Sequence, residues 1–158
     1  MTLHTIPPVW DENSKVLILG SFPSVKSRED GFFYGHKQNR FWKVVANVCN
    51  CPEPKNIDEK KAMLLANGIA VWDVIHSCDI VGSSDSSIKN VVPNNVADIV
   101  QKSHIERIFT NGKKADELYK KYIEQTVGIS AECLPSTSPA NAVWTLEKLC
   151  EEWKIIQK

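Results

Sequence analysis

Blocks of apolar residues alternate with amphipathic segments along the chain, and this alternation predicts strands separated by helices. Residues 16–21 form a continuous aliphatic run that ends at a glycine and a serine, as expected of a strand buried on both faces. Three later runs of similar length predict further strands, at residues 69–74, 105–111 and 130–135.

Helical segments fill the intervals between these strands. They are predicted at residues 39–49, 58–68, 95–103, 112–125 and 138–157. In the last segment Ser138 is the expected N-cap and Pro139 the first helical residue. The residues expected on the buried face of that helix are Val143, Leu146, Leu149, Cys150 and Trp153.

The polar segment 75–94 shows no clear period. It reads as a loop of about twenty residues, and a structureless loop of that length is uncommon in a compact domain. The segment is therefore either functional or misassigned.

Strands that alternate with helices indicate a parallel sheet covered by helices on both faces. We predict a single α/β domain over residues 1–158, with three α/β/α layers around a central four-stranded parallel sheet. Ligands bind such folds outside the carboxyl ends of the strands. The polar segments 20–38, 75–94 and 135–141 each follow a strand end, so we expect all three to meet on one rim.

Charge and composition narrow the class of protein. Lys and Arg total 19 and Asp and Glu total 19, which argues against an extended basic surface but allows a local basic patch. The sequence contains no apolar run of about 18 residues, and its N-terminus lacks the pattern of a signal peptide. We expect a cytoplasmic protein that does not enter a membrane.

The chain offers no recognisable metal or cofactor motif. Its five cysteines are scattered, its four histidines lack ligand spacing, and neither G-x-G-x-x-G nor a P-loop occurs. We expect reduced thiols, no bound metal and no cofactor. A small-molecule hydrolase that uses Cys78 or Cys133 with His76 is the least supported activity.

Several polar residues on the predicted rim have both a structural and a chemical interpretation. Asn39 precedes an apolar helix and reads as an N-cap or as a site amide. Asp73 ends a strand and reads as an acid–base group or as a cap. The hydroxyls and backbone N–H groups of residues 136–138 suit a helix cap and a phosphate equally. The residues alone leave these alternatives open.

Three stretches, in order, resemble the uracil-DNA glycosylase superfamily. GSFPS and GFFYGHKQNRFW, within residues 20–42, resemble its first motif and the aromatic segment behind it, and LPSTSPANA, residues 134–142, resembles its phosphate-contacting loop. Together with GIAVWDVIHSCDIVGSSDSSIKNVVPN, residues 68–94, they are most similar to the hypoxanthine-DNA glycosylase branch. The resemblance extends over about residues 14–150.

The resemblance implies a monofunctional enzyme that flips a damaged nucleotide out of duplex DNA and hydrolyses its N-glycosidic bond, leaving an abasic site. The implied base is hypoxanthine from deoxyinosine. The alternatives are uracil or another modified base, or a non-catalytic nucleic-acid-binding module on the same fold. The implied partner is double-stranded DNA that contains a damaged base, bound by a monomer.

The resemblance also implies roles for individual residues. Better-known branches position water with an acid or amide near Ser21 and Phe22, and neither residue has the required group. In the hypoxanthine-DNA glycosylase branch the catalytic role is assigned to the Asn of the NRFW motif, so the resemblance implies that role for Asn39, whose amide oxygen is expected to hold the water. The residues implied in binding the base are Phe22, Phe32, Phe33, Trp72 and Asp73. Those implied in contacting DNA phosphates are Ser21, Ser136, Thr137, Ser138, Asn141 and Lys113.

Overall fold

Within residues 1–157, which the computed structural model describes, the chain forms seven strands and seven α-helices. The strands are β1 (Thr2–Leu3), β2 (Val16–Gly20), β3 (Ile69–Asp73), β4 (Ile75–Asp79), β5 (Lys89–Pro93), β6 (Arg107–Asn111) and β7 (Ala131–Leu134). The helices are α1 (Val25–Asp30), α2 (Phe41–Val48), α3 (Ile57–Ala66), α4 (Val96–Gln101), α5 (Lys113–Tyr122), α6 (Glu124–Val127) and α7 (Leu146–Trp153). Short 3-10 turns lie at Asp85–Ser87 and Lys154–Gln157.

The central sheet has the strand order β3-β2-β6-β7, and each neighbouring pair is parallel. Its strands lie within the four apolar runs of the sequence. Ile18 of β2 packs into the core that includes α2, α3 and α7, whereas Leu17 and Leu19 pack into the core that includes α4 and α5. Both faces are therefore covered, and the predicted three-layer arrangement with a four-stranded parallel sheet is confirmed.

Segment 75–94 is not a structureless loop. β4 and β5 pair antiparallel, and β1 pairs with β4, which gives a second sheet of order β1-β4-β5. Ile75, Ser77 and Cys78 of β4 are buried, whereas β5 is almost entirely exposed. A strand at the edge of an antiparallel sheet needs only one covered face, so its polar residues conceal it from a search for apolar runs.

The last helix is shorter than predicted. α7 begins at Leu146, and the Thr145 side chain caps it by accepting a hydrogen bond from the Lys148 N–H. The backbone carbonyls of Ser138, Asn141 and Trp144 instead accept hydrogen bonds from the Arg40 guanidinium. This side-chain contact satisfies the carbonyls in a non-helical turn, so the prediction of a helix start at Ser138 and Pro139 was wrong.

Because α7 begins at Leu146, only part of the predicted buried face of the last helix is buried. Leu149, Cys150 and Trp153 are buried, as predicted. Val143 is 81% exposed and Leu146 is 40% exposed, so these two were assigned wrongly. Val143 precedes the helix, and Leu146 is its first residue, where the helix has not yet reached the core.

Candidate active site

A cavity of about 370 Å³ opens at the carboxyl edge of the central sheet, within the ~300–1,000 Å³ typical of small-molecule sites. Gly20, Asp73 and Asn111, the last residues of β2, β3 and β6, contribute to its wall. The polar segments 20–38, 75–94 and 135–141, expected on one rim, all supply lining residues.

Asn39 lines this cavity directly before α2. Its Oδ1 atom accepts hydrogen bonds from the Phe41 N–H and from the Thr137 hydroxyl, both at 2.9 Å. Its Nδ2 group makes no hydrogen bond to any residue in the described part of the chain. Asn39 therefore satisfies the first turn of the helix and still leaves its amide N–H groups available at the cavity.

A hydrogen-bonded network holds Asn39 from behind. Thr137 is fully buried, and its N–H donates to Asn111 Oδ1 at 3.0 Å. Asn111 Nδ2 donates in turn to the Thr137 hydroxyl oxygen at 3.0 Å. The hydroxyl proton is then left to donate to Asn39 Oδ1. The order of donors follows from the backbone N–H groups at the two ends, which resolves the orientation of both amides.

Arg40 fixes the loop opposite Asn39. Its guanidinium donates to the carbonyls of Ser138 at 2.9 Å and Asn141 at 3.1 Å, and also to that of Trp144. Its backbone N–H donates to the Thr137 carbonyl at 3.1 Å. Hydrogen bonds from a charged donor are among the stronger ones in proteins. Arg40 thus couples the start of α2 to residues 137–144.

The serines of this loop lie on the cavity wall. Ser136 Oγ accepts from the Ser138 N–H at 3.1 Å, and Ser138 Oγ accepts from the Ala140 N–H at 3.2 Å. Gly112 has φ +96°, and a Cβ atom there would lie 3.1 Å from Ser136 Cβ. The loop approaches β6 this closely because position 112 is glycine.

Asp73 forms the opposite wall with a partner from the N-terminus. His4 Nε2 lies 2.8 Å from Asp73 Oδ2, and both side chains are buried. The Asn94 amide donates to the Asp73 backbone carbonyl at 2.9 Å. The aspartate is consequently held on one oxygen and along its backbone, while Oδ1 lies over Gly20.

A second carboxylate reaches the cavity from the 3-10 turn. Asp85 accepts a hydrogen bond from the Ser21 hydroxyl at 3.1 Å, and both residues line the cavity. Desolvation raises the pKa of Asp85, and the Asp73 charge acts in the same direction, whereas Ser21 and Lys114 lower it. The residue as a whole is exposed to solvent.

Within residues 1–157, no group of three His, Cys, Asp or Glu side chains could hold a metal ion. Over the same part of the chain, no helix has the length and apolar character needed to cross a membrane.

The amino-acid sequence matches the family model described as the Uracil DNA glycosylase superfamily over residues 7–158. The chain belongs to the uracil DNA glycosylase superfamily. Two curated relatives of this superfamily member are named Hypoxanthine DNA glycosylase. The Methanosarcina acetivorans protein is 33% identical over 158 residues, which is 99% of this chain and 98% of that protein. The Methanosarcina barkeri protein is 31% identical over 143 residues, which is 89% of each chain.

The fold comparison agrees with the sequence comparison. A solution NMR structure of a candidate uracil DNA glycosylase from Methanosarcina acetivorans matches with a TM-score of 0.82 at 30% identity. The match covers 96% of this chain and 94% of that one.

In this member of the uracil DNA glycosylase superfamily, the residues implied in base binding fall into two groups. Phe22, Phe33 and Asp73 line the cavity. Phe32 is 4% exposed and packs in the core beside Phe33, with ring centroids 5.5 Å apart. Trp72 is half-buried and packs against both cores, away from the cavity wall.

The residues implied in phosphate contact are also divided. Ser21 joins Ser136 and Ser138 on the cavity wall. Asn141 instead donates its amide to the Ser136 carbonyl at 3.0 Å and so braces the loop. Lys113 is exposed at the start of α5, outside the cavity.

Sequence reasoning did not single out four residues of the site, His4, Tyr34, Arg40 and Asp85. Arg40 could have been suspected from its position, because a charged residue between Asn39 and an apolar helix needs a partner. His4 had none, since it meets Asp73 from 69 positions away. Only the tertiary fold brings such pairs together.

Proposed function

We propose that this protein is a monofunctional DNA glycosylase that removes a deaminated base, hypoxanthine foremost, from double-stranded DNA. Support comes from membership of the superfamily and from the names of the two Methanosarcina relatives. The observation that carries the proposal is the cavity in which the tethered Asn39 amide adjoins the aromatic side chains of Phe22 and Phe33.

The target nucleotide leaves the duplex before it reacts, because its C1′ atom and base are inaccessible within the stack. Ser136 and Ser138 hold the flanking phosphates, and the rigid loop behind them keeps the strand in register. Phe22, the more exposed of the two phenylalanines on the cavity wall, stacks on the extruded base, a contact worth about 1–3 kcal/mol. The cost of extrusion is lowest at mismatched deaminated bases, which favours them as substrates.

Hydrolysis then proceeds through an electron-poor sugar. The C1′–N9 bond breaks with its electron pair on the base, water oxygen bonds to C1′, and the two protons of the water end on the new hydroxyl and the released base. Both lone pairs of Asn39 Oδ1 already accept protein hydrogen bonds, so Asn39 holds the water through Nδ2 rather than through its oxygen. Water positioned in this way needs no strong base, because the sugar cation is highly reactive.

Charge on the two fragments is stabilised from opposite sides. Backbone N–H groups near Phe22 face the departing base and offset its negative charge. The carboxylate of Asp85 lies on the cavity wall and favours the positive sugar. It is held by a hydrogen bond from the Ser21 hydroxyl before substrate arrives.

A thiol hydrolase receives no support. Desolvation is the main factor that raises the pKa of the buried Cys78 and of the more exposed Cys133, so both remain thiols near neutral pH. His76, the proposed base for such an enzyme, is exposed on β4.

The direct test uses end-labelled duplexes that each contain one deoxyinosine, deoxyuridine or ethenoadenine nucleotide. We expect abasic product chiefly from the deoxyinosine duplex under single-turnover conditions. Asn39→Ala should slow that release by about 100-fold or more, since it removes the group that positions water. Sodium borohydride should trap no protein–DNA adduct.

Asn47→Ala is the matched control, because Asn47 is an exposed asparagine on α2, the helix that follows Asn39. It should leave the rate within about twofold of the parent. Release of hypoxanthine by Asn39→Ala at the parental rate would exclude the proposed role of this amide. DNA binding without release of any base would favour a non-catalytic module.

A further inference from the structure

The Tyr34 hydroxyl is buried and has no hydrogen-bond partner among residues 1–157. Buried hydroxyl groups nearly always have a partner, because an unpaired one forfeits its bonds to water. Tyr34 also has φ +52°, in the left-handed region that non-glycine residues seldom adopt. The fold thus accepts two local costs at one residue of the cavity wall.

Asp73 presents a second unused polar atom at the same place. A Cβ atom built on Gly20 would lie 2.4 Å from Asp73 Oδ1 and 3.1 Å from the Tyr34 hydroxyl oxygen. Both oxygens therefore converge above the glycine that ends β2. His4 occupies the other carboxylate oxygen, so Oδ1 is the one left for a ligand.

The two atoms have complementary hydrogen-bonding character. Burial and the neighbouring Asp73 charge raise the pKa of Tyr34 above its ordinary value, and the Asn111 amide, which lies close to the hydroxyl without the geometry of a hydrogen bond, only partly opposes them. Tyr34 therefore keeps its proton and is a donor at neutral pH. Asp73 Oδ1 is an acceptor.

We propose that the Tyr34 hydroxyl and Asp73 Oδ1 together bind the lactam edge of an extruded base, meaning a ring N–H beside a carbonyl. Tyr34 donates to the carbonyl oxygen and Asp73 accepts from the ring N–H. This inference rests on the proposed function and names the feature of the base that is recognised. The hydroxyl lies beneath the cavity surface, so contact involves the small side-chain shift common at binding sites.

A lactam edge distinguishes deaminated bases from the bases that produce them. Hypoxanthine and uracil both have it, whereas adenine and cytosine have a ring nitrogen lone pair beside an amino group. That lone pair would oppose Asp73 Oδ1, and sites built to pair polar groups reject a mismatched analogue strongly. Guanine shares the edge, so its exclusion depends on its 2-amino group and its firmer pairing with cytosine.

The test compares Tyr34→Phe with the parent on two duplexes. One contains deoxyinosine, and the other contains purine 2′-deoxyribonucleoside, which lacks both the 6-oxo group and the N1 proton. We expect Tyr34→Phe to release hypoxanthine at least about tenfold more slowly and to match the parent on the purine duplex. Taking the ratio of variant to parent on each duplex removes the different intrinsic labilities of the two bonds.

Stability supplies an independent readout. Removing an unpaired buried hydroxyl should leave the Tm of Tyr34→Phe equal to or above that of the parent, so slower release cannot be attributed to unfolding. Tyr122→Phe is the matched control, since Tyr122 lies on α5 away from the cavity, and it should not alter either rate. Asp73→Asn should reduce the preference for deoxyinosine over deoxyadenosine at least about tenfold.

The possible results separate this inference from the proposed function. If the parent releases no base from any duplex, the proposed function is wrong and the inference falls with it. Suppose that the parent releases hypoxanthine and that Tyr34→Phe is equally fast, or releases base more slowly from both duplexes by the same factor. The glycosylase assignment then stands, and the proposed recognition of the lactam edge by Tyr34 and Asp73 is wrong.

Discussion

Thr137 orients Asn39 through a chain of hydrogen bonds that can run in only one direction. The Thr137 N–H occupies Asn111 Oδ1, which leaves Asn111 Nδ2 to donate to the Thr137 hydroxyl. The hydroxyl has one proton, and it goes to Asn39 Oδ1. Thr137, which was expected to contact phosphate, therefore positions the Asn39 amide from inside the fold, and this amide is the proposed catalytic group.

Thr137→Val tests this role because valine keeps the shape and removes the hydroxyl. We predict a loss of about 10- to 100-fold in single-turnover release of hypoxanthine, since the Asn39 amide is no longer fixed. Thr137→Ser keeps the hydroxyl and should stay within about threefold of the parent. The rates are measured on the same deoxyinosine duplex with enzyme in excess.

Affinity for DNA separates positioning from phosphate contact. With Thr137→Val, both the affinity for the duplex and its dependence on salt should equal those of the parent. A phosphate-binding residue would instead weaken binding and reduce the steepness of the salt dependence. If Thr137→Val binds DNA more weakly, with a reduced salt dependence, and releases base at the parental rate, Thr137 contacts phosphate and does not position Asn39.

At the scale of elements, the segment between β7 and α7 is held by a side chain and not by regular structure. Three of its carbonyls accept hydrogen bonds from Arg40, at the start of α2. Asn39 and Arg40 are adjacent, so the proposed catalytic residue and the residue that holds the loop before α7 share one stretch of backbone. A shift of either one would disturb both walls of the cavity.

Arg40→Lys should release this loop, because an ammonium group cannot reach several carbonyls in fixed directions as a guanidinium does. We expect a loss of about 2 kcal/mol or more in the free energy of unfolding. Amide hydrogen exchange over residues 138–145 should accelerate. Urea unfolding and hydrogen-exchange mass spectrometry measure the two effects.

Arg107→Lys is the matched control for that substitution. Arg107 donates to a single carbonyl, that of Ile155, at 3.1 Å. Arg107→Lys should lower the free energy of unfolding by less than Arg40→Lys does, and it should leave amide hydrogen exchange in residues 138–145 unchanged. Equal exchange in the Arg40 and Arg107 variants would show that Arg40 does not hold the loop.

Prediction from sequence succeeded for elements that are buried on both faces and failed where one contact decides the local structure. The runs of β2 and β3 were recognisable because continuous apolar residues suit a strand that is covered on both faces. Ser138 and Pro139 satisfied every local rule for a helix start, yet a distant arginine satisfied the carbonyls instead. Strands β4 and β5 were missed because their exposed positions are polar.

The position of the site in the fold could be predicted from the sequence, but only some of its residues could. Topology alone located the rim, and Asn39, to which the resemblance assigned catalysis, lines the cavity there, while its catalytic role stays a prediction. His4 and Tyr34 carry no local signal, since the meaning of each depends on Asp73, a residue distant in sequence. Only the folded chain brings His4 and Tyr34 next to Asp73.

The dependence of stability on pH is a property of the whole molecule, and two aspartates should contribute to it with opposite sign. Burial raises the pKa of Asp85 above its ordinary value of 3.8, so the folded state binds the proton more tightly than the unfolded chain. The ionised Asp85 carboxylate therefore lowers the free energy of unfolding at pH values above its pKa in the folded protein. This destabilisation disappears in acid, where the carboxyl group is protonated in both states. Hydrogen bonds from Asn90 and the N-terminal amine lower the pKa of Asp79, so its stabilising effect exists above 3.8 and is lost in acid.

Asp85→Asn should accordingly raise the Tm at pH 7 and have no effect near pH 3, whereas Asp79→Asn should lower the Tm at pH 7 and converge with the parent in acid. Calorimetry at several pH values between 3 and 7 measures both differences against the parent. The pair controls for changes in other titrating groups, because all variants share them. A Tm difference for Asp85→Asn that stays constant across this range would mean that the carboxylate is not desolvated by the cavity, and its proposed place beside the sugar would lose its physical basis.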